Sequence, residues 1–371
     1  MKLKHLTAAL GLSVALIASG CGAANEQQAD TPAPGNTNTA GQASEAPKLT
    51  GKLTGIGASS QKVAVETWIA GLQTANQGLD INYSPEGSGA GRKAFQGGGA
   101  DFAGSDRAFK ADENVAGSFG KCKAESKALD LPLYISPIAI IFKVEGVDKL
   151  KLDAKTAAAI FSGQIKNWND PKIAALNEGV TFPNLPITVV HRSDNSGTTE
   201  NFTDYLNQAS DGVWTEKANG DWPAAFQGEA AKGTSGVVAA VSGGAGTIGY
   251  ADASQAKGVG VAEVGRDGKF SDPNAEAAAM VVEKSPREEG RDEHDVALKL
   301  DRKSEGYPIV LVAYTIVCAE YKDAETATLV KGYLNHAASK EGQQAAAEKA
   351  GSAPLSAELT KQVQAAIDSI K

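Results

Sequence analysis

Three short segments of this sequence combine glycine with hydroxyl side chains where a strand pattern gives way to a helix pattern. They are Gly57-Ala58-Ser59-Ser60, Gly87-Ser88-Gly89 and the run from Arg192 to Thr198. A helix that begins at such a turn presents unpaired N–H groups and the positive end of its dipole. Three such turns meeting at one point would bind a small anion. Serine, threonine and glycine are also ordinary helix caps, so for any one turn taken alone capping is the commoner role.

The third turn also contains an arginine. Arg192 ends a strand pattern, and Asp194, Ser196, Gly197 and Thr198 follow it. A guanidinium offers a planar fork to two oxygens of an anion, while the helix start and its hydroxyl groups supply donors to the others. These residues therefore indicate an oxyanion ligand. The alternative for Arg192 is an ion pair at the protein surface.

Asp106 is unusual in such a setting, because it follows a short strand pattern at Ala100–Ala103 and the turn Gly104-Ser105. A carboxylate repels an anion unless the anion carries a proton that the carboxylate can accept. Phosphate carries such a proton at neutral pH, whereas sulfate does not. Asp106 would therefore allow phosphate and reject sulfate, because sulfate would leave two acceptors facing each other. The alternative is that Asp106 caps a helix at Arg107.

Strand and helix patterns alternate along residues 49–371, which is typical of α/β architecture. The 371 residues are sufficient for two domains of roughly 100 to 200 residues each. Two continuous apolar runs, Leu131–Phe142 and Pro308–Cys318, predict strands that are buried on both faces. Because the segment between them has its own strand and helix pattern, we expect two lobes joined by two crossing strands. The alternative is simply two core strands.

The predicted lobe boundaries are 49–138 and 308–371 for lobe I and 139–307 for lobe II. Residues 324–370 have a helical pattern and are expected to return to lobe I.

The N-terminal segment has the pattern of a targeting sequence. Lysines precede an apolar run, Leu6–Ala18, that is too short for a permanent membrane span, which predicts a secretory signal peptide over residues 1–20. Small residues before Cys21 indicate cleavage there and lipid attachment to its thiol; an ordinary signal peptide with a chance cysteine is the alternative. Residues 21–48 lack valine, isoleucine, leucine and aromatic residues, which predicts a flexible linker. We expect an extracytoplasmic protein, lipid-anchored to the outer face or periplasmic side of a cell membrane.

Charge and cysteine content exclude several classes of function. The net charge is −8, and loss of the signal peptide would remove two more lysines, so nucleic acid is not expected as a partner. No Cys-x-x-Cys or His-x-x-x-His spacing occurs, so neither a metal site nor a cofactor is expected. With Cys21 lipidated, Cys122 and Cys318 remain; an oxidising compartment permits a disulfide between them, and two buried thiols are the alternative.

In order along the chain, these segments resemble the substrate-binding lipoproteins of phosphate ABC transporters, members of the class II periplasmic binding proteins. The matching segments are Leu53–Ser60, Tyr83 with Gly87–Gly91, Ala100–Asp106, Ile160–Ile165, Asn167–Pro171, Arg192–Thr199 and Gly246–Tyr250. The resemblance covers about residues 50–371.

The resemblance implies a two-lobed fold that closes on phosphate about its hinges and presents the loaded state to permease subunits, with no bond made or broken. It implies a monomer without a cofactor. Asp106 would accept the phosphate proton, Asp194 would orient Arg192, and Asn195 stands where glycine is frequent, which suits a left-handed backbone. The family often has Thr-Phe at Ser59-Ser60, so the donor role transfers most directly to Ser59. The implied phosphate-binding residues are Ala58, Ser59, Ser60, Ser88, Asp106, Arg192, Ser196, Gly197 and Thr198.

Two other classes of function compete with phosphate binding. Ser59-x-x-Lys62, Ser193-Asp194-Asn195 and the near match Lys232-Gly233-Thr234 resemble the three motifs of penicillin-recognising acyl-serine enzymes. The third motif has its glycine and threonine exchanged, and short motifs match by chance. The other alternative is a surface interaction lipoprotein in which the anion site is vestigial.

Overall fold

The structure is a computed structural model that describes residues 48–303 and 305–371. The predicted signal peptide, the predicted lipidation site Cys21 and all of the predicted linker except Lys48 lie outside the described residues. Within the described part of the chain, no helix has both the length and the apolar character needed to span a membrane. The same residues contain no group of three or more metal-ligating side chains that could hold an ion.

Twelve strands and ten helices alternate along the described residues, as the α/β pattern predicts. The strands are β1 Thr50–Gly57, β2 Gly78–Ser84, β3 Phe102–Ser105, β4 Ala128–Lys143, β5 Lys151–Asp153, β6 Thr188–Arg192, β7 Glu229–Ala231, β8 Thr247–Asp252, β9 Gly260–Val261, β10 Glu263–Arg266, β11 Lys269–Ser271 and β12 Val310–Cys318. The helices are α1 Lys62–Ala75, α2 Ser88–Gln96, α3 Ala154–Phe161, α4 Pro171–Leu176, α5 Gly197–Ala209, α6 Gly233–Gly243, α7 Ala275–Glu283, α8 Ala324–Ala338, α9 Lys340–Ala350 and α10 Ala357–Ser369. A 3₁₀ turn, Ala253–Gln255, follows β8.

Most strands join one sheet in the order β2-β1-β3-β12-β4-β8-β6-β7, with β9 also paired to β4. We term β1, β2 and β3 the first half of this sheet, and β6, β7 and β8 the second half. Strands within each half are parallel. At their carboxyl ends, β1, β2, β6 and β7 are each followed by an α-helix, β3 by a loop that begins at Asp106, and β8 by the 3₁₀ turn. This edge is the one where open α/β sheets bind ligands. A separate three-stranded sheet contains β11, β10 and β5.

The two apolar runs form β4 and β12, which lie antiparallel at the centre of the sheet. Strand β4 is sixteen residues long and buried except at Lys143, and every residue of β12 is buried. Residues 128–137 of β4 pair with β12, and residues 138–143 pair with β8. Strand β4 therefore crosses from the first half of the sheet to the second, as expected for a strand that joins two parts of a molecule.

Helices cover both halves. Helix α1 packs against α8 and α9 beside the first half, and α6 packs on β6 and β8 of the second half. The predicted helical stretch 324–370 is divided into α8, α9 and α10; α9 ends where Gly351 takes a left-handed conformation with φ of 60°.

Cys122 and Cys318 are joined by a disulfide, with their Cα atoms 5.3 Å apart. Both residues are buried, and the bond connects the segment before β4 to the end of β12.

Candidate anion-binding site

The turns at the carboxyl ends of the strands meet around the carboxyl group of Asp106. Its Oδ1 accepts a hydrogen bond from the Ser60 hydroxyl at 2.5 Å, and its Oδ2 accepts one from the Thr198 hydroxyl at 2.9 Å. The Asp106 N–H donates to Ser88 Oγ at 3.1 Å. Ser60, Ser88 and Asp106 belong to the first half of the sheet, whereas Thr198 belongs to the second. Residues from all of the predicted turns therefore converge across the cleft between the halves.

Burial and local charge act in opposite directions on Asp106. The residue is only 3% exposed, and this desolvation raises the pKa of its carboxyl group above the usual range. The hydroxyl donors Ser60 and Thr198, followed by the positive charges of Arg192 and Arg92, favour the ionised form. Asp106 is thus a buried acceptor surrounded by donors and cations.

Arg192 is held rigidly by its neighbour Asp194. Nε donates to Asp194 Oδ1 at 2.8 Å and Nη2 donates to Oδ2 at 2.5 Å, a bidentate pair. Burial alone would raise the pKa of Asp194, but the hydrogen bonds and charge of Arg192 outweigh it and lower the pKa. Arg192 itself is 3% exposed, and its Nη1 donates to no other described residue. The guanidinium therefore offers an oriented edge to a further acceptor.

Two helices begin at the site and point their N-terminal turns towards it. Helix α2 begins at Ser88 and α5 begins at Gly197, and the first N–H groups of a helix have no acceptor within it. A Cβ atom at Gly197 would lie 2.6 Å from Asp106 Cβ and 2.7 Å from Ser88 Oγ, so the close approach of the two halves requires glycine there. Ser196 caps α5, accepting the Thr199 N–H at 3.2 Å, and its own hydroxyl hydrogen is still able to donate.

The first predicted turn is divided between two environments. Ser60 contacts Asp106, but the Ser59 hydroxyl lies against Thr234, at the start of α6. The Ala58 N–H donates to the Gly104 carbonyl at 2.8 Å, so this donor is engaged in pairing between strands.

Asn195 differs from the expectation of a left-handed backbone. Among the described residues other than glycine, only Asp211 and Asp267 have positive φ. Asn195 instead joins the halves: its carbonyl accepts the Gly89 N–H at 3.1 Å, and its Oδ1 accepts from Arg92 at 3.2 Å. The side chain occupies this position because it packs against Gly89, where a Cβ atom would lie 2.4 Å from Oδ1.

Two further residues of the site are absent from the sequence prediction. Arg92 lies one turn after Ser88 on α2, is 7% exposed and donates to Ser105 Oγ at 2.7 Å; burial lowers its pKa to about 10. Asn201 lies one turn after Gly197 on α5 and donates to the carbonyls of Asp106 at 2.7 Å and Gly197 at 3.0 Å. The i, i+4 spacing from each helix start is the signal in the sequence that identifies both.

The motifs of the acyl-serine enzymes come close in space without the contacts that such chemistry needs. A nucleophilic serine needs a base within hydrogen-bond distance. The ammonium group of Lys62 instead pairs with Glu66 at 3.2 Å, and that of Lys232 pairs with Glu86 at 2.6 Å. The Ser59 hydroxyl contacts Thr234, which is not a base. His191 stacks on Trp222 with ring centroids 5.0 Å apart.

This mixed α/β fold, with donors converging at the carboxyl ends of its strands, is that of a solute-binding protein. Residues 33–341 match the family model described as the PBP superfamily domain. Within that superfamily, the chain belongs to the family of PstS-type phosphate-binding proteins.

Two mycobacterial relatives and one solved structure illustrate the similarity. The chain is 37% identical over 347 residues to phosphate-binding protein PstS 3 of Mycobacterium leprae, with 90% of each chain covered. It is 35% identical over 350 residues to phosphate-binding protein PstS 3 of Mycobacterium tuberculosis, again with 90% of each chain covered. The crystal structure of a phosphate-binding protein from Stenotrophomonas maltophilia superposes with a TM-score of 0.66 at 21% identity, covering 85% of this chain and 94% of the other.

Proposed function

We propose that this protein binds inorganic phosphate in the cleft between the two halves of the sheet. The observation that carries the proposal is the buried carboxylate of Asp106, set among the donors Ser60 and Thr198 and beside Arg192. Such a site suits an anion that both accepts several hydrogen bonds and donates one. Phosphate satisfies both requirements at neutral pH, and the names of the relatives agree with this ligand.

In this proposal, each phosphate oxygen has donors from a different element. The free edge of Arg192 binds two oxygens through charge-assisted hydrogen bonds, each contributing about 1.5 to 3 kcal/mol. The helix starts at Ser88 and Gly197 supply N–H groups, and the hydroxyl groups nearby complete the shell. The P–OH group donates to Asp106. The ligand-facing set is Ser59, Ser60, Ser88, Asp106, Arg192, Ser196, Gly197 and Thr198; Ala58 contributes through its packing beside them.

We further propose that the halves belong to two lobes, 49–138 with 308–371 and 139–307, which open and close about β4 and β12. Closure would distinguish the loaded protein from the empty one for the permease subunits of an ABC-type phosphate importer. The protein acts as a monomer, and binding makes and breaks no covalent bond, so no enzymatic step is proposed. Reversible capture suits the arrangement because Lys62 pairs with Glu66 and the Ser59 hydroxyl contacts Thr234, so the lysine of the Ser-x-x-Lys motif is not positioned against its serine.

The N-terminal sequence supports a place for this activity outside the cytoplasm. The proposed signal peptide ends before Cys21, whose thiol would carry the lipid that anchors the protein to the membrane. Labelling of cells with radioactive palmitate tests this step. The mature wild-type protein should be labelled and a Cys21→Ser variant should not; equal labelling of the two would contradict the anchor.

Isothermal titration with phosphate and with sulfate tests the ligand. We expect phosphate to bind roughly a thousandfold more tightly than sulfate, because sulfate leaves Asp106 facing another acceptor. Asp106→Asn can donate through its amide, so its preference for phosphate should fall at least tenfold. Asp80→Asn is the matched control, since Asp80 lies on β2 with its side chain 50% exposed. Absence of heat with phosphate, or equal affinity of the wild-type protein for the two anions, would contradict the proposal.

A further inference from the structure

Helix α6 lacks an N-cap side chain of its own. Its cap residue, Lys232, makes no side-chain capping hydrogen bond, yet the first two N–H groups of the helix both have acceptors. The Gly233 N–H donates to Asp194 Oδ1 at 3.0 Å, and the Thr234 N–H donates to Ser59 Oγ at 3.0 Å. Ser59 belongs to the first half of the sheet and α6 packs on the second, so the cap is completed only when the halves are together.

Thr234 makes a second contact with the same serine. Its hydroxyl lies 3.0 Å from Ser59 Oγ, and both residues are buried. When the Thr234 hydroxyl donates, Ser59 Oγ accepts two hydrogen bonds from Thr234 and has its own hydrogen left. That hydrogen is then available to an anion in the cleft. In that arrangement Thr234 leaves Ser59 as a donor towards the cleft.

Gln255 secures the adjacent peptide groups from the same side of the cleft. It lies in the 3₁₀ turn after β8, and its Nε2 donates to the carbonyls of Ser59 at 2.8 Å and Ser60 at 3.1 Å. In a trans peptide the C=O and the following N–H point in opposite directions. Holding the Ser59 carbonyl against Gln255 therefore turns the Ser60 N–H away from Gln255, and the Ser60 hydroxyl meets Asp106 at the site.

From these contacts we propose that Thr234 and Gln255 are positioning residues that stabilise the closed cleft and orient its first binding turn. The inference rests on the proposed phosphate binding. Because the start of α6 also holds Asp194, the same helix end connects Arg192 with Ser59 across the cleft. The observed affinity of a closing protein is its intrinsic affinity scaled by the population of the binding-competent state. Loss of either contact lowers that population and weakens phosphate and sulfate by the same factor.

Thr234→Val and Gln255→Leu test this role. Thr234→Val keeps the N–H that is capped by Ser59 but removes the hydroxyl contact, and Gln255→Leu removes the donor to the Ser59 and Ser60 carbonyls. Because each variant loses a hydrogen-bonding group, it should raise the phosphate dissociation constant about fivefold. The increase should occur in the dissociation rate, measured by stopped flow, and the ratio of phosphate to sulfate affinity should stay at the wild-type value. The ligand-free melting temperature should also stay unchanged, because the proposal has the ligand-free protein open in solution, with these contacts formed on closure. Thr234→Ser, which keeps the hydroxyl and the N–H, should restore wild-type binding.

Matched controls separate this role from a general effect of the substitutions. Thr203→Val removes a buried hydroxyl that bonds only to carbonyls of its own helix, and Gln344→Leu removes a surface amide; neither should change binding. Wild-type affinity in both Thr234→Val and Gln255→Leu would overturn the inference. A ligand-free melting temperature that falls together with the affinity would also overturn it, because the loss of affinity would then reflect general destabilisation of the protein. Failure of the proposed function would look different, since the wild-type protein itself would then give no heat with phosphate.

Discussion

Two carboxylates of this chain are buried where the halves of the sheet meet, and their surroundings differ. Asp106 lies in the cleft, and each of its oxygens accepts a hydroxyl donor from a different half. Asp252 lies opposite Ile138, where the pairing of β4 changes from β12 to β8. Its Oδ1 accepts from Tyr134 at 3.0 Å and from the Ser254 hydroxyl at 2.5 Å, whereas its buried Oδ2 has no partner among the described residues.

The comparison shows that nearby positive charge determines whether a buried carboxyl group suits anion binding or a structural role. Burial raises the pKa of both groups, and that of Asp252 reaches about 7. Two arginines oppose the effect of burial at Asp106 and favour a carboxylate that can accept a ligand proton. At Asp252 the opposing groups are neutral donors, Ser254, Ser136 and Tyr134. The first environment suits an anion site, and the second suits a structural carboxyl group that is neutral below pH 7.

Removing Arg192 from the cleft would bring the surroundings of Asp106 closer to those of Asp252, with Arg92 as the remaining nearby cation. We expect Arg192→Gln to raise the phosphate dissociation constant at least roughly a hundredfold, because two charge-assisted hydrogen bonds are lost. Isothermal titration measures the effect. Arg266→Gln is the control, since Arg266 is exposed on β10 of the small sheet. A change of only a few-fold in Arg192→Gln would show that the arginine does not distinguish the two environments.

Neutralising Asp252 should alter stability rather than binding. Its pKa is raised from 3.8 to about 7, so the folded state holds a proton that the unfolded state releases. The free energy of unfolding should therefore fall as pH rises between these values, by at most about 1.4 kcal/mol per pH unit.

Urea unfolding at several pH values measures this dependence. In Asp252→Asn the slope over the same window should be reduced, while phosphate affinity stays near that of the wild type. An unchanged slope would contradict the neutral state assigned to Asp252.

Lowering the pH should make the cleft carboxylate behave as a neutral acid. Because the pKa of Asp106 is raised, it takes up a proton at a higher pH than an ordinary aspartate. The protonated group can donate to sulfate, so the preference for phosphate should decrease severalfold as the pH is lowered through the raised pKa of Asp106. Competition titrations in Asp106→Asn are the control, because the ionisation of phosphate itself is the same there; the pH dependence in this variant should be smaller than in the wild-type protein. A preference that is constant in the wild-type protein would contradict this assignment.

Substitution of the serines that donate to the two carboxylates has the smallest expected effects and gives the most closely matched test. Ser60 donates to Asp106 at 2.5 Å, and Ser254 donates to Asp252 at 2.5 Å. Ser60→Ala should weaken phosphate about fivefold, whereas Ser254→Ala should leave phosphate binding unchanged and lower the free energy of unfolding by about 1 kcal/mol. Each variant is the control for the other. Equal effects of the two on affinity would remove the functional distinction between the carboxylates.

The sequence predicts those parts of the site that depend on local pattern. Turns between strands and helices, the arginine at a strand end and the carboxylate after β3 are each visible within a few residues, and the structure brings them together. The two continuous apolar runs likewise predict β4 and β12, because a strand buried on both faces contains few polar residues.

Contacts between distant segments escaped prediction. Thr234 and Gln255 contact Ser59 across separations of 175 and 196 residues, and nothing in their neighbours indicates those partners. Asn195 illustrates a different limit, because its glycine-like position predicted a left-handed backbone and the structure uses its amide and carbonyl instead. Glycine commonly ends a helix, so Gly351 is a signal in the sequence for the end of α9. The single helical stretch predicted from the sequence nevertheless includes Gly351.

The long strand β4 has a consequence for how the molecule comes apart. Its first ten residues complete the sheet beside β12, and its last six complete the sheet beside β8. Because both regions share β4, melting of one removes a strand from the sheet of the other, and we expect their unfolding to be coupled. Local opening therefore belongs to the turns at the ends of the strands, and the backbone amides of β4 should be among the last to exchange with solvent.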